Sequence, residues 1–195
     1  MEEGKTKYAN PAPLGLVGFG MTTILLNEHN AGFFGLSVTI LAMGIAIGGL
    51  AQIIAGIFEL KQGNTFGGTA FTAYGFFWIS LVIIWLNPGD KVEAANGQTM
   101  GFYLMLWGIF TFGMFICTLR HNRAMQVVFL TLTILFFGLM LGDFTGNEMI
   151  TKVSGIIGII CGATAVYAAF AALLKNEFGR EILPVCEVGE KEKEQ

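Results

Sequence analysis

The sequence predicts an all-α integral membrane protein with six transmembrane helices, and three observations lead there. Only 13% of its 195 residues are charged while 54% are hydrophobic, against about 25% charged in a soluble chain. The charges gather in short clusters separated by long charge-free runs. Lys and Arg, finally, are shared very unequally between alternate loops.

Each apolar run is read as one helix, about 20 residues being needed to cross about 30 Å of hydrocarbon. The first, 14–26, follows a polar stretch ending at Pro13 and is short. Its helix either continues through 27–31 or meets a thin, water-filled region. The second, 34–58, closes at Glu59 and Lys61, and Gly63-Asn64 turns the chain into the third, 66–86. Asn87-Pro88-Gly89-Asp90 stops that one with turn residues. The fourth, 100–119, ends at Arg120; the fifth, 125–141, is slightly short; the sixth, 153–174, ends at Lys175.

Orientation follows from the positive-inside rule. Lys5, Lys7, Lys61, Arg120, Arg123, Lys175, Arg180, Lys191 and Lys193 lie on one side, and only Lys91 and Lys152 on the other. Both termini are therefore expected in the cytoplasm, in a multi-pass protein of the cell membrane. Residues 1–195 form a single transmembrane domain, with a polar tail over 1–13. A cytoplasmic tail over 175–195 is expected to be disordered in part, its charged end from Glu187 onward. The polar first residues hold no cleavable leader pattern.

Several function classes are disfavoured. A net charge of −3 without a dense basic patch gives nucleic acid nothing to bind. Cys117, Cys161 and Cys186 are too few and too scattered for a disulfide framework or a zinc site. No Asp, Glu, Lys, Arg or His lies mid-span, and His29 and His121 are expected in loops. No nucleophile with a base and no phosphate-binding loop can be assembled. The expectation is a protein with no catalytic residues, no metal and no cofactor.

Displacing the sequence by 93 positions sets Gly15, Phe19-Gly20-Met21, Leu26, Ala70 and Tyr74 on Gly108, Phe112-Gly113-Met114, Leu119, Ala163 and Tyr167. Two readings account for this echo: a 3+3 inverted repeat, as in many transporters, or coincidence among Gly- and Phe-rich helices. Gly44-x-x-x-Gly48, Gly138-x-x-x-Gly142 and Gly158-x-x-x-Gly162 are first of all helix-packing signals. On the second helix, Gly48, Gly49, Gln52, Gly56 and Glu59 share one small, polar face. Gln52 at depth needs a hydrogen-bond partner or a wet path; Glu59 reads as an interfacial charge. Tyr74, near mid-span, either bonds a neighbouring helix or protrudes into water.

The run Asn10-Pro11-Ala12-Pro13-Leu14-Gly15-Leu16-Val17-Gly18-Phe19 resembles the signature of the acetate uptake transporter family, also called the succinate–acetate permeases. The likeness continues through Gly20-Met21-Thr22-Thr23-Ile24-Leu25-Leu26-Asn27, Gly63-Asn64-Thr65-Phe66-Gly67, Thr69-Ala70-Phe71-Thr72-Ala73-Tyr74-Gly75, Ile160-Cys161-Gly162-Ala163 and Phe178-Gly179-Arg180. The resemblance implies uptake of acetate, with succinate or other small monocarboxylates as further substrates. It also implies six helices per subunit, a homohexamer in membrane lipid, and a path in each protomer narrowed at Phe19, Tyr74 and Leu132.

The chemistry of the residues fits that implication. Acetate has one methyl and one carboxylate, and an apolar narrowing flanked by Thr22, Thr23, Gln52, Thr69 and Thr72 suits both ends. Neutral donors hold an anion weakly enough to release it. Asn27 and Glu59 complete the expected polar lining. Asn10 opens a helix start with Pro in its first turn, whose free N–H groups suit a carboxylate. Two other readings stay open: a channel for another small solute such as ammonium, and a membrane protein that senses acetate without moving it.

Overall fold

The computed structural model describes residues 9–87, 89 and 92–188. Residues 1–8, Pro88, Asp90, Lys91 and 189–195 lie outside it. With them go the tail lysines of the orientation argument, half of the turn after the third helix, and the disorder expected of the last residues.

Six long helices run through the described residues: α1 (Ala12–Asn30), α2 (Val38–Lys61), α3 (Thr65–Leu86), α4 (Gly97–Thr118), α5 (Arg123–Thr145) and α6 (Glu148–Phe178). All but α1 are long and apolar enough by themselves to cross a membrane. Of the two readings of the short first run, the structure takes the first, since α1 continues to Asn30. His29, expected in a loop, therefore stands in the last turn of a helix. Other helices also outrun their apolar runs, with Asn residues capping their N-termini. Asn64, Asn96, Asn122 and Asn147 each accept a first-turn N–H, and Asn96 forms a reciprocal capping box with Thr99.

α1 lies against α2 and α6, α2 against α3, α4 against α5, and α5 against α6. The three glycine pairs sit in these seams. A Cβ on Gly20 would lie 2.7 Å from the Gly162 carbonyl oxygen, and one on Gly162 would lie 2.6 Å from the Gly20 carbonyl oxygen. α1 and α6 thus meet backbone to backbone. Gly48 makes room for Thr22 and Trp78, Gly138 for Ser154, and Gly142 for Thr151.

One feature has no sequence precursor in the apolar pattern. Gly44–Ala51, in the middle of α2, is π-helical. Next to it the Gln52 amide donates to the Gly48 carbonyl at 2.7 Å. Gly18 of α1 sits so close to the Ile47 carbonyl that a Cβ would fall 2.6 Å from its oxygen. Helix segments of this kind recur at functional sites.

After α6, which Gly179 ends in the left-handed conformation, the chain turns back as a strap. Arg123 N–H donates to the Cys186 carbonyl at 3.0 Å and Ala124 N–H to that of Val185 at 3.3 Å. The Tyr167 hydroxyl donates to the Pro184 carbonyl at 2.9 Å, and Lys175 pairs with Glu187 at 3.6 Å. Glu187, expected to open a disordered tail, is therefore tied to the helix end.

Candidate functional site

Two cavities lie within the bundle. The first, about 310 Å³, opens at the end that carries Lys61, Arg120 and Lys175; among its walls are Ala12, Gln52, Glu59, Phe66, Met125 and Lys175. The second, about 230 Å³, lies towards the opposite end, between Thr23, Asn27, Trp78, Leu104 and Asp143. Both far exceed the roughly 30 Å³ that one water occupies in the liquid. Phe19, Tyr74 and Leu132 line both cavities. These three, from α1, α3 and α5, form the neck between them, with 6%, 3% and 3% of their surface exposed.

The neck is braced from outside. The Phe19 and Tyr74 rings stand 5.9 Å apart, and Trp107, Phe110 and Phe129 close round Tyr74 at 5.6 to 6.2 Å. The Tyr74 hydroxyl lies 2.9 Å from Thr111 Oγ1, so it bonds a neighbouring helix rather than entering the path. The neck consequently presents carbon to the cavities on either side.

Polar atoms without partners sit on either side. Among the described residues, Thr23 Oγ1, Gln52 Oε1, Thr72 Oγ1 and Trp78 Nε1 are buried and unbonded. Gln52 lines the first cavity; Thr23 and Trp78 line the second. A buried polar group left unpaired is costly, which marks these walls as places for water or a polar solute.

The residues expected to line a path divide into two groups. Phe19, Tyr74, Leu132, Thr23, Asn27, Gln52 and Glu59 are brought together on the cavities. Asn27 donates to the Thr23 carbonyl at 2.8 Å and accepts from Asn30 at 3.1 Å. Glu59 accepts from Asn64 at 2.6 Å. The rest line neither cavity. Thr22 is fully buried against Gly48, its hydroxyl donating to the Gly18 carbonyl at 2.8 Å. Thr72 faces Gly56 of α2, Thr69 is exposed on α3, and Asn10 accepts from Ala12 N–H at 3.0 Å. That last bond, with Pro13 lacking an N–H, leaves the start of α1 little to offer an anion.

Other wall residues gave no signal in the sequence. Met100 and Leu104 of α4 and Ala168 and Ala171 of α6 line the cavities beside α1, α2, α3 and α5, so every helix contributes. The strap supplies Glu181, Leu183, Val185 and Glu187 to the rim of the first cavity. Periodicity cannot find these residues, because all faces of a membrane helix are apolar.

Comparison with known proteins adds the family. Residues 2–188 match the model of the GPR1/FUN34/yaaH family. The chain is 56% identical to the succinate-acetate/proton symporter SatP of Escherichia coli (strain K12), over 94% of this chain and 98% of that one. It is 37% identical to acetate permease A of Emericella nidulans, over 92% of this chain and 66% of that one. It is also 40% identical to ammonia transport outward protein 2 of Saccharomyces cerevisiae, over 88% and 64%. The fold is similar to that of the bacterial acetate channel SatP, with a TM-score of 0.89 and 56% identity over 92% of this chain and 99% of that chain. With the family's model matched over residues 2–188, and with bacterial relatives alike over nearly their whole length, the chain belongs to the GPR1/FUN34/yaaH family.

Proposed function

We propose that this protein carries acetate, and other small carboxylates such as succinate, across the cell membrane. The observation that carries the reading is the meeting of two cavities, each with an unpaired polar atom in its wall, at one carbon-lined neck, Phe19, Tyr74 and Leu132. A solute with a methyl end and a carboxylate end suits such a path. The methyl tolerates the neck, while the Thr23 hydroxyl and the Trp78 indole N–H wait beyond it as neutral donors. Weak, successive contacts of this kind favour release as much as capture. No step of this needs covalent chemistry, in keeping with relatives that are transporters and channels.

The end bearing Lys61, Arg120, Arg123 and Lys175 faces the cytoplasm in this reading, supported by the lysine and arginine bias. Each protomer holds its own path in a homohexamer, as the family resemblance implies. The exposed apolar residues on α2 and α4, Leu50, Ile54, Leu106 and Ile109 among them, meet lipid or neighbouring protomers.

The test is uptake of radiolabelled acetate into proteoliposomes above about pH 7.5, where little of it is the permeant acid. Rates equal to those of protein-free vesicles under every gradient would end the proposal. The same vesicles with labelled methylammonium examine the alternative raised by the ammonia-exporting relative. Net current that reverses at the acetate equilibrium potential supports conduction as the anion; electroneutral uptake driven by a proton gradient supports symport.

A further inference from the structure

Phe19, Tyr74 and Leu132 stand between the two cavities as a closed neck, so a solute that passes must push a side chain aside. Phe19 is poorly placed to yield. Its helix meets α6 backbone to backbone at Gly20 and Gly162, and Gly18 beside it lies against the Ile47 carbonyl of α2. Leu132 stands on α5, which is packed between α4 and α6. α3, the helix of Tyr74, is fixed on one side, where a Cβ on Gly75 would fall 2.9 Å from the Gly49 carbonyl oxygen of α2. Its other side differs. No glycine of α3 or α4 has the other helix as its near neighbour, and the two meet chiefly through long side chains.

Two hydroxyl pairs cross that seam, Tyr74 with Thr111 at 2.9 Å and Ser80 with Tyr103 at 2.7 Å. Rings interleave beside them, Phe77 with Trp107 at 5.1 Å and Tyr74 with Phe110 at 5.6 Å. Thr111 is fully buried and lines neither cavity. Its hydroxyl is used differently from those of other threonines in the bundle. Thr22, Thr118, Thr131, Thr133 and Thr164 each donate to a carbonyl of their own helix, three or four residues back. Thr111 bonds Tyr74 instead, and among the described residues neither hydroxyl makes another hydrogen bond.

We propose that Thr111 is a positioning residue that sets the aperture of the neck: its bond holds the Tyr74 ring across the path, and release of that bond lets the ring withdraw into the seam with α4. The inference rests on the transport reading above and deepens it, naming a residue that governs which carboxylates pass. A second partner is within reach of the latch. A helical threonine can turn its hydroxyl to the carbonyl four residues back, which for Thr111 is that of Trp107. The freed phenol lies beside two cavities large enough for water. An interaction made at rest and lost during passage slows the passage. The wider the acid, the further the ring must withdraw, so the bond weighs most against branched substrates.

The experiment measures uptake of labelled acetate and labelled isobutyrate by proteoliposomes of the full chain above about pH 7.5, corrected for protein-free vesicles. Thr111→Val is expected to raise the isobutyrate-to-acetate rate ratio about fivefold, as a barrier lowered by one hydrogen bond requires, with the half-saturating acetate concentration unchanged. Tyr74→Phe keeps the ring and removes the same bond from its other end. It is expected to raise the ratio equally, so the test does not hang on one variant folding. Thr111→Ser retains the hydroxyl and is expected to keep the wild-type ratio. Ser80→Ala breaks the other hydroxyl pair of the seam and is also expected to keep it. A wild-type ratio in both Thr111→Val and Tyr74→Phe would overturn the proposal. So would an equal rise in Ser80→Ala, the mark of a seam merely loosened. Absence of any wild-type uptake would instead sink the transport reading.

Discussion

The Tyr74 hydroxyl and Thr111 Oγ1 lie 2.9 Å apart, both side chains buried, and their bond ties α3 to α4 at the neck. It holds the ring of Tyr74 edge-on to Phe110 and turned towards Phe19. Thr111→Val should leave the phenol unpaired and lower stability by about 1–3 kcal/mol. Tyr74→Phe should cost a similar amount by stranding the threonine. Combined, the two should recover most of the loss, because neither polar group is then orphaned. Melting temperatures in detergent for the four proteins check this; strictly additive losses would count against a direct bond.

The neck sets the size limit in the transport reading. Phe19→Ala or Tyr74→Ala removes a ring that lines both cavities. Uptake of a bulkier acid such as butyrate, relative to acetate, should rise several-fold in either variant. An unchanged ratio across a series of straight-chain acids would place the limiting point elsewhere.

Two donors of the second cavity have no partner among the described residues, Thr23 Oγ1 and Trp78 Nε1. A hydrogen bond of about 0.5–1.5 kcal/mol corresponds to a roughly two- to tenfold change in affinity. Thr23→Val and Trp78→Phe should therefore raise the half-saturating acetate concentration by about that factor while leaving the fold intact. Saturation curves in proteoliposomes read it directly.

Two helical glycines, Gly162 and Gly113, differ in what surrounds them. Gly162→Ala would drive a Cβ to 2.6 Å from the Gly20 carbonyl oxygen, against backbone that cannot move aside cheaply. Overpacking of this kind costs about 1–3 kcal/mol. Gly113, also within a helix, has open space around it, so Gly113→Ala should be neutral or gain up to about 1 kcal/mol of helix propensity. Thermal unfolding separates the two.

The strap after α6 covers the first N–H groups of α5, the bonds from Arg123 and Ala124 being made to Cys186 and Val185. Tyr167→Phe deletes the hydroxyl that holds Pro184. Amide exchange at Arg123 and Ala124 should then quicken, with α5 beyond its first turn unchanged. Equal protection in both proteins would show that the strap stands without that bond.

The sequence by itself determined the membrane, the number of helices and the packing motifs. Each rests on a property local to the chain: the length of a charge-free run, or the spacing of small residues along one face. Its motifs hold Phe19 and Tyr74, and the family resemblance they carry implied Leu132 beside them. Tertiary structure alone decided that these three stand together between two cavities, and that Thr22 and Thr72 turn away into seams with α2. Glycines on α2, Gly48 and Gly56, make those seams deep enough to swallow a threonine side chain, and nothing local to either threonine announces it. The π-helical stretch of α2 and the strap were likewise illegible. A membrane helix is apolar on every side, so which face meets lipid, a neighbour or a path depends on partners far away in the chain.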